Sequence, residues 1–322
     1  MMGGRSHGLT DVGTSTARDP LVETPARTLG ARVRAVRLGG WAFVAPALMA
    51  YGLFVLWPLV QTFRYSLYQW DGVLPAKWVG LANFRTIFTD HALLAVLVHA
   101  FELMIFFSAI PVILGLAIAS LIRRIASRRV GSAARAVLFL PQVVPLVAAG
   151  IAWSWILSTN GVVNQFLSAI GLSGVTRAWL GDFGMALPAV GLIGAWVLLG
   201  LCTVLLSAGM TKIDPTLYEA AQIDGAGPIQ EFAKITLPAL RQEIGVCVTV
   251  TVIAALSAFD IVYISTRGGP GTQTMVPGLE IYQLAFFNRE VGLASALAVV
   301  LMLLVLVCIL PIQWYARRGD DW

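Results

Sequence analysis

The chain alternates between long apolar stretches and short polar segments. A helix needs about 20 mostly apolar residues to cross the hydrocarbon core of a bilayer, which is roughly 30 Å thick. Because several stretches reach that length, the pattern predicts an all-α polytopic membrane protein with six transmembrane helices. We place these spans at Trp41–Phe63, Leu93–Ile122, Ala136–Leu157, Met185–Met210, Ile244–Ile264 and Val291–Gln313.

Several of these spans contain prolines that would be costly in a soluble helix, such as Pro58, Pro111 and Pro145. In a membrane bundle, neighbouring helices can satisfy the carbonyl groups that a proline leaves without a partner. We therefore expect the spans to continue through the prolines, with kinks at these positions.

The composition excludes an ordinary soluble domain, since 58% of the residues are hydrophobic, 12% are charged and the mean hydropathy is +0.80. A net charge of +5 often indicates a nucleic-acid partner. Here the arginines lie next to the apolar stretches, which the positive-inside bias explains better. We expect the lipid bilayer, and no nucleic acid, to be the partner of this charge.

The distribution of Lys and Arg predicts the orientation. If the N-terminus is cytoplasmic, sixteen of the 22 basic residues fall on the cytoplasmic side. The other six fall on or near the outer side: Arg64, Lys77, Arg85, Arg177, Arg267 and Arg289. Both termini are thus predicted to be cytoplasmic. Residues 1–38 lack apolar periodicity and are predicted to be a flexible basic tail, followed by a transmembrane domain at 39–322.

One polar segment, residues 212–241, separates the fourth and fifth spans. Asp214 followed by Pro215 supplies a helix start, because the carboxylate accepts free backbone N–H groups and proline is tolerated in the first turn. The first helix of the segment should run from Pro215 to about Ile223. Gly225 should end it, since glycine readily adopts the left-handed conformation found after helix ends.

A second helix of this segment should start at Gly227 and Pro228. In this helix Phe232 and Ile235 are three residues apart and therefore share a face. Leu237 and Pro238 should then turn the chain back toward the bilayer. The prediction is a helix-turn-helix bracket on a membrane surface; an amphipathic helix lying on lipid is the simpler alternative.

The bracket resembles the EAA loop of ABC importer permeases, the membrane subunits of binding-protein-dependent uptake systems. The resemblance implies a type I importer permease fold and a role of this loop in docking on a separate ATPase. The matching residues, which we take as the ATPase-coupling residues, are Glu219, Ala220, Ala221, Asp224, Gly225, Ala226, Phe232, Ile235, Leu237 and Pro238.

Three further segments resemble the carbohydrate-uptake branch of that family: Trp78–Phe84, Phe259–Tyr263 and Gly268–Phe286. The last resembles the first of the two permeases in such systems. The resemblance implies import of a sugar or oligosaccharide across the cell membrane of a prokaryote. It also implies three kinds of partner: a second permease subunit, an ABC ATPase dimer and an extracytoplasmic solute-binding protein.

Ionisable residues inside a span suggest function, and sugars are bound by aromatic faces next to hydroxyl groups. These criteria give a candidate solute path of Trp196, Thr249, Thr251, Ser257, Asp260 and Glu102. Structural alternatives remain open: Glu102 pairs with His99, Asp260 bonds a helix end, and Trp153 and Trp155 anchor the interface. Gly194–Gly200 is largely apolar, which argues against a strong central binding site in this subunit.

Several signatures of chemistry are missing from the sequence. There is no G-x-x-x-x-G-K-[ST] loop for ATP phosphates, no Ser/His/Asp arrangement and no metal-ligand spacing among the three histidines. Cys202, Cys247 and Cys308 lie in apolar stretches and are interpreted as small buried hydrophobic residues. We expect no enzyme activity, metal or bound cofactor in this chain, and ATP to be used by the partner ATPase. The alternative class is a secondary transporter or channel, for which no internal repeat is evident.

Overall fold

The computed structural model describes residues 43–125 and 127–317, so the predicted tail at 1–38 and the predicted first residue of span one, Trp41, lie outside the described residues. The chain divides into two compact units, Met1–Pro58 and Leu59–Trp322. Helix α1 (Phe43–Tyr65) begins in the first unit and ends in the second.

In its described residues, the second unit consists of helices, their connections and one short antiparallel ribbon, in which Tyr68 of β1 (Tyr68–Gln69) pairs with Trp78 of β2 (Lys77–Trp78). The helices are α2 (Ala82–Thr89), α3 (His91–Arg124), α4 (Arg128–Val143), α5 (Leu146–Ile156), α6 (Val162–Ala169), α7 (Ala186–Met210), α8 (Pro215–Ile223), α9 (Pro228–Ala239), α10 (Arg241–Leu256), α11 (Asp260–Ser265), α12 (Pro277–Phe286) and α13 (Val291–Arg317).

Four helices of the described residues are long and apolar enough to cross a membrane, namely α1, α3, α7 and α13. Two bent pairs bring the number to six if each pair is one span. The pair α4–α5 is bent by 96°, and the pair α9–α10 by 71°. The predicted number of spans is therefore reached only when broken spans are included.

Two predicted spans differ from the structure. The span at Ala136–Leu157 is broken at Val144, whose backbone is extended before Pro145, as the clash with a proline ring requires. The span at Ile244–Ile264 begins earlier, at Arg241, and stops at Leu256, after which α11 is a separate helix. Hydropathy measures how apolar a stretch is and carries no information on such backbone breaks.

The distortions expected at the other prolines take the form of wide helical turns. A π-helical turn ends two residues before Pro58, Pro111 and also Pro238. Proline has no N–H and its ring clashes with the carbonyl group four residues earlier, so a wider turn relieves the clash. The three turns are Gly52–Leu56, Ile105–Ala109 and Phe232–Thr236.

Helix α7 is the centre of the second unit, because 67% of the residues in its most apolar 18-residue stretch are buried. Glycines on α7 allow close contact: a Cβ at Gly191 would lie 2.6 Å from the Phe106 ring on α3, and one at Gly200 would overlap the carbonyl oxygen of Leu138 on α4. Small residues permit this kind of packing between membrane helices. Cys202 on α7 and Cys247 on α10 are buried as predicted, whereas Cys308 is only half-buried.

Candidate functional site

The bracket forms with the predicted local structure. Helix α8 has the predicted bounds, and Asp214 caps it by accepting a hydrogen bond from the backbone N–H of Thr216 at 2.9 Å. This hydrogen bond holds the pKa of the Asp214 carboxyl below its usual value. Pro215 occupies the first turn, where its missing N–H has no intrahelical partner to lose.

The turn between α8 and α9 depends on a glycine. Gly225 has φ +77°, a conformation that a residue with a Cβ rarely adopts. The N–H of Ala226 donates to the carbonyl of Ala221 at 2.8 Å, which closes the end of α8. The predicted turn at Gly225 is present, and Gly225 has open space around it, so only its backbone requires glycine.

The inner face of the bracket is anchored to the end of α3 through Tyr218. This side chain is 5% exposed, and the Arg123 guanidinium lies over its ring at 3.6 Å from the centroid. The Tyr218 hydroxyl is 3.0 Å from the hydroxyl of Thr236, also buried. A single tyrosine therefore connects α8 to both α3 and α9.

An ion pair adds a second connection to α3. Arg124 Nη2 donates to Glu231 Oε2 at 2.6 Å, and Glu231, which is buried, also accepts from Gln222 Nε2 at 3.3 Å. At the other end of the segment, Lys212 Nζ donates to Glu243 Oε1 at 2.9 Å. The bracket is thus fixed to α3 and α10, and α7 leads directly into it.

Sequence reasoning missed these anchors. Arg123 and Arg124 contributed to the orientation only as part of a basic run, and Glu231 lies outside the residues that match the EAA loop. The sequence contained one indication of the role of Glu231, because this charged residue belongs to the same predicted helix as Phe232 and Ile235. Its partner is 107 positions away in the chain, so no local pattern identifies it.

The outer face of the bracket consists of exposed side chains. Among the ten predicted coupling residues, Glu219, Ala220, Asp224 and Gly225 are exposed in this region, as are Leu237 and Pro238. Ala221, Ala226, Phe232 and Ile235 are half-buried. Two isoleucines outside this set, Ile223 and Ile229, are 86% and 83% exposed. The bracket therefore presents carboxylates, small residues and apolar side chains together on its outer face.

The structure brings together only part of the predicted solute path. Ser257 and Asp260 line a cavity of about 380 Å³ between α4, α7, α10 and α11, and Gln142, which sequence reasoning did not include, lines it too. Trp196 is 37% exposed on α7, with its ring edge-on to Trp153 at 5.4 Å.

The other predicted path residues lie elsewhere. Thr251 donates to Ser108 at 2.8 Å and Thr249 accepts from Gln313 at 2.8 Å, so these two buried threonines connect α10 to α3 and α13. Burial of a hydroxyl requires such partners. Their placement assigns them to helix packing in this structure.

The proposed pairing of Glu102 with His99 is wrong. The Nδ1 atom of His99 lies 2.9 Å from the carbonyl oxygen of Met275 instead. Within residues 43–125 and 127–317, Glu102 is exposed on α3 and its carboxylate makes no hydrogen bond or ion pair. The backbone carbonyl of a distant loop is a partner that helical spacing does not reveal.

Comparison with known proteins identifies the family. The profile of binding-protein-dependent transport system inner membrane components matches residues 111–318, from the middle of α3 to the end of α13. The chain belongs to this family. The bracket and its anchors on α3, α7 and α10 all lie inside the matched region.

Relatives and solved structures agree with this assignment. The permease is 33% identical over 283 residues to the probable ABC transporter permease YurN of Bacillus subtilis, covering 87% of this chain and 97% of that protein. It is 34% identical over 279 residues to the diacetylchitobiose uptake permease NgcF of Streptomyces coelicolor, covering 83% and 78% of the two chains. The match to YurN spans almost the whole relative, so it involves more than a shared motif.

A solved structure shows the same fold. A chain of a bacterial ABC transporter that imports the acidic polysaccharide alginate matches with a TM-score of 0.77 at 23% identity, covering 92% of this permease and all of that chain. The importer-permease fold predicted from the sequence is confirmed. Family membership also favours a permease component of an ABC system over the alternative of an independent secondary transporter or channel.

Proposed function

We propose that this permease imports a sugar or oligosaccharide and is driven through residues 212–241 by a cytoplasmic ABC ATPase dimer. A second permease completes the translocation path, and an extracytoplasmic binding protein delivers the solute. A relative named for diacetylchitobiose uptake and a fold neighbour from an alginate importer support a carbohydrate. The segments Trp78–Phe84 and Gly268–Phe286 support the same branch.

The coupling role is supported mainly by the difference between the inner and outer faces of the bracket. The inner face is fixed by the Arg124–Glu231 ion pair and by Arg123 over Tyr218. The outer face exposes Glu219 and Ile223. A docked ATPase that pushes on the outer face therefore moves α3 and α10 with the bracket, which rocks the spans between inward-open and outward-open states.

The orientation follows from the basic residues. The bracket lies at the same end of the bundle as Arg123 and Arg124, to which it is bonded, and the positive-inside bias assigns that end to the cytoplasm. An ATPase can reach it there. ATP hydrolysis belongs to that partner, since this sequence has no phosphate-binding loop.

The solute contacts proposed for this subunit are Ser257, Asp260 and Gln142, because they line one cavity and offer a hydroxyl, a carboxylate and an amide. The aromatic side chains in the same lining are Phe107 and Phe259, whereas Trp196 packs on Trp153 and is not part of it. Hydrogen-bonding groups next to aromatic faces suit a carbohydrate.

The test is reconstitution of the permease with its co-encoded partners in proteoliposomes. We expect ATP-dependent uptake of a sugar that is bound by the partner binding protein, and no uptake by the permease alone. A matched pair of variants, Glu219→Lys on the exposed face of the bracket and Ser132→Lys at an exposed position near the start of α4, separates docking from a general charge effect. Transport by the permease alone, driven by an ion gradient without ATP, would contradict the proposal.

A further inference from the structure

The second unit contains a large groove beside the bracket, and three of the predicted coupling residues, Ile235, Leu237 and Pro238, form part of its lining. It has a volume of about 1180 Å³ and lies between α9, α10 and the last turns of α13. Its apolar lining includes Ile244 and Val248 of α10 and Pro311 and Ile312 of α13. The two helices meet beside it, where Gly245 packs directly against Ala316.

The charged residues that line the groove are both cations, Lys234 and Arg241. The Arg241 guanidinium stacks on the Tyr315 ring at 3.7 Å from its centroid, and its Nε atom is buried with no hydrogen-bond partner in the described part of the chain. The carboxylate of Glu243, two residues further along α10, is bonded to Lys212. Among the described residues, the groove therefore joins an apolar wall to two cations that form no ion pair.

The depth of the groove follows from the length of α13. Its 27 residues span about 40 Å at 1.5 Å per residue, comparable to a bilayer with its headgroup layers. Tyr315, near the end of α13, then lies at headgroup level, where tyrosine is enriched. Ile312, Ile244 and Val248 extend from there toward the hydrocarbon.

We propose that this groove binds an anionic phospholipid. The phosphate lies between Lys234 and Arg241, and an acyl chain follows Ile244, Val248 and Ile312. A guanidinium whose face is stacked on an aromatic ring keeps its edge N–H groups for a phosphate, including the unpartnered Nε–H. A phospholipid carries negative charge and apolar chain in one molecule at this depth, which matches the two halves of the groove.

A lipid in this groove contacts both sides of the 71° bend between α9 and α10. It would fill the space between the bracket and the end of α13. Lipid binding is measured directly, without transport or ATP hydrolysis, so the measurement tests this site even if the proposed function fails.

The experiment uses the assembled transporter, purified in mild detergent and depleted of lipid. It is titrated with fluorescent phosphatidylglycerol and, separately, with the matched phosphatidylcholine. Each basic residue contributes about 1 kcal/mol to attraction of anionic lipid, and 1.4 kcal/mol is tenfold in affinity. We therefore expect the double variant Lys234→Gln/Arg241→Gln to lose on the order of 30-fold in phosphatidylglycerol affinity, with phosphatidylcholine unchanged.

Three further variants distinguish a loss of lipid binding from a folding defect. Arg129→Gln removes an exposed cation near the end of α3 without touching the groove and should leave phosphatidylglycerol affinity unchanged. Arg241→Lys keeps the charge and should retain most of the affinity. Ile312→Trp fills the chain-binding part and should weaken phosphatidylglycerol binding although both cations remain.

Three results would overturn the proposal. In the first, the double variant binds phosphatidylglycerol like wild type. In the second, inorganic phosphate displaces the lipid completely, which would indicate a site for a free anion. In the third, a cysteine introduced at Ile312 would cross-link to a partner subunit and not to a photoreactive phosphatidylglycerol, which indicates that protein covers the groove.

Discussion

The bracket and the middle of the helix bundle are held together by different interactions. At the bracket, charged and aromatic side chains make specific contacts over a polar surface, with Arg124 on Glu231 at 2.6 Å and Arg123 on Tyr218 at 3.6 Å. In the middle of the bundle, Gly191, Gly194 and Gly200 bring α7 into direct contact with α3 and α4. The first region is held by a few strong connections between charged and aromatic groups, whereas these glycine contacts of α7 depend on shape.

This difference separates two kinds of mutational effect. A substitution that adds volume to the middle of the bundle should prevent assembly. A substitution on the outer face of the bracket should leave assembly intact and remove transport. The four comparisons below test this division, starting with the largest expected effect.

Gly200→Val should cause the largest loss, because the new side chain overlaps the Leu138 carbonyl on α4, which is backbone and cannot rotate away. Overpacking of this kind costs about 3 kcal/mol or more. We expect little monodisperse protein and a strongly lowered unfolding midpoint. Gly174→Ala is the matched control, since a Cβ there meets nothing within 4 Å. Equal yields of the two variants would refute close packing at Gly200.

Glu219→Lys and Gly225→Pro should abolish uptake while the permease remains in the membrane at wild-type level. Glu219 is exposed, and Gly225 is at φ +77°, which proline cannot adopt. The measurements are uptake in cells and the amount of permease in the membrane fraction. Ser132→Lys on α4, the control, adds the same charge outside residues 212–241 and should transport. Normal uptake by both test variants would show that the bracket is not required for coupling to the ATPase.

Removing one side of the inner ion pair should have an intermediate effect. Arg124→Gln leaves the buried Glu231 carboxylate without its cation, which we expect to cost about 2 kcal/mol because the arginine is partly exposed. Thermal unfolding and solute-stimulated ATP hydrolysis are the readouts. The double variant Arg124→Gln/Glu231→Gln should regain part of the loss. If the double variant is as damaged as the sum of the single variants, the two residues do not act as a pair.

The smallest expected effects distinguish residues that line the solute cavity from residues that pack helices together. Ser257→Ala and Asp260→Asn should raise the KM for solute a few-fold with unchanged thermal stability, because both line the cavity. Thr251→Val removes a buried hydrogen bond to Ser108 and should lower stability by about 1 kcal/mol without a change in KM. A KM effect confined to Thr251→Val would reverse the assignment of these residues.

How much of the molecule can be predicted from sequence depends on how local the signal is. The bounds of α8 and the position of Gly225 were correct because the cap, the proline and the glycine lie within a dozen residues of one another. The break at Val144 could have been suggested by Pro145, yet the long apolar stretch favoured a single span. A proline indicates a distortion without giving its angle.

The contacts that fix the bracket could not be predicted in the same way. Arg124 and Glu231 are 107 residues apart, and His99 and Met275 are 176 apart, so their pairing requires the packed fold. Thr249, Thr251 and Ser257 were equivalent by residue type and location in one apolar stretch. The structure separates them because two face neighbouring helices and one reaches a cavity.

The central claim is that the outer face of the bracket docks on an ATPase in the cytoplasm. Ile223 is 86% exposed there, so the direct measurement is cross-linking from Ile223→Cys in a variant whose three native cysteines are replaced. We predict a cross-link to the ATPase subunit in the assembled transporter, and no labelling by a membrane-impermeant thiol reagent added to intact cells. Labelling from outside, or no cross-link to the ATPase in the assembled transporter, would contradict the account.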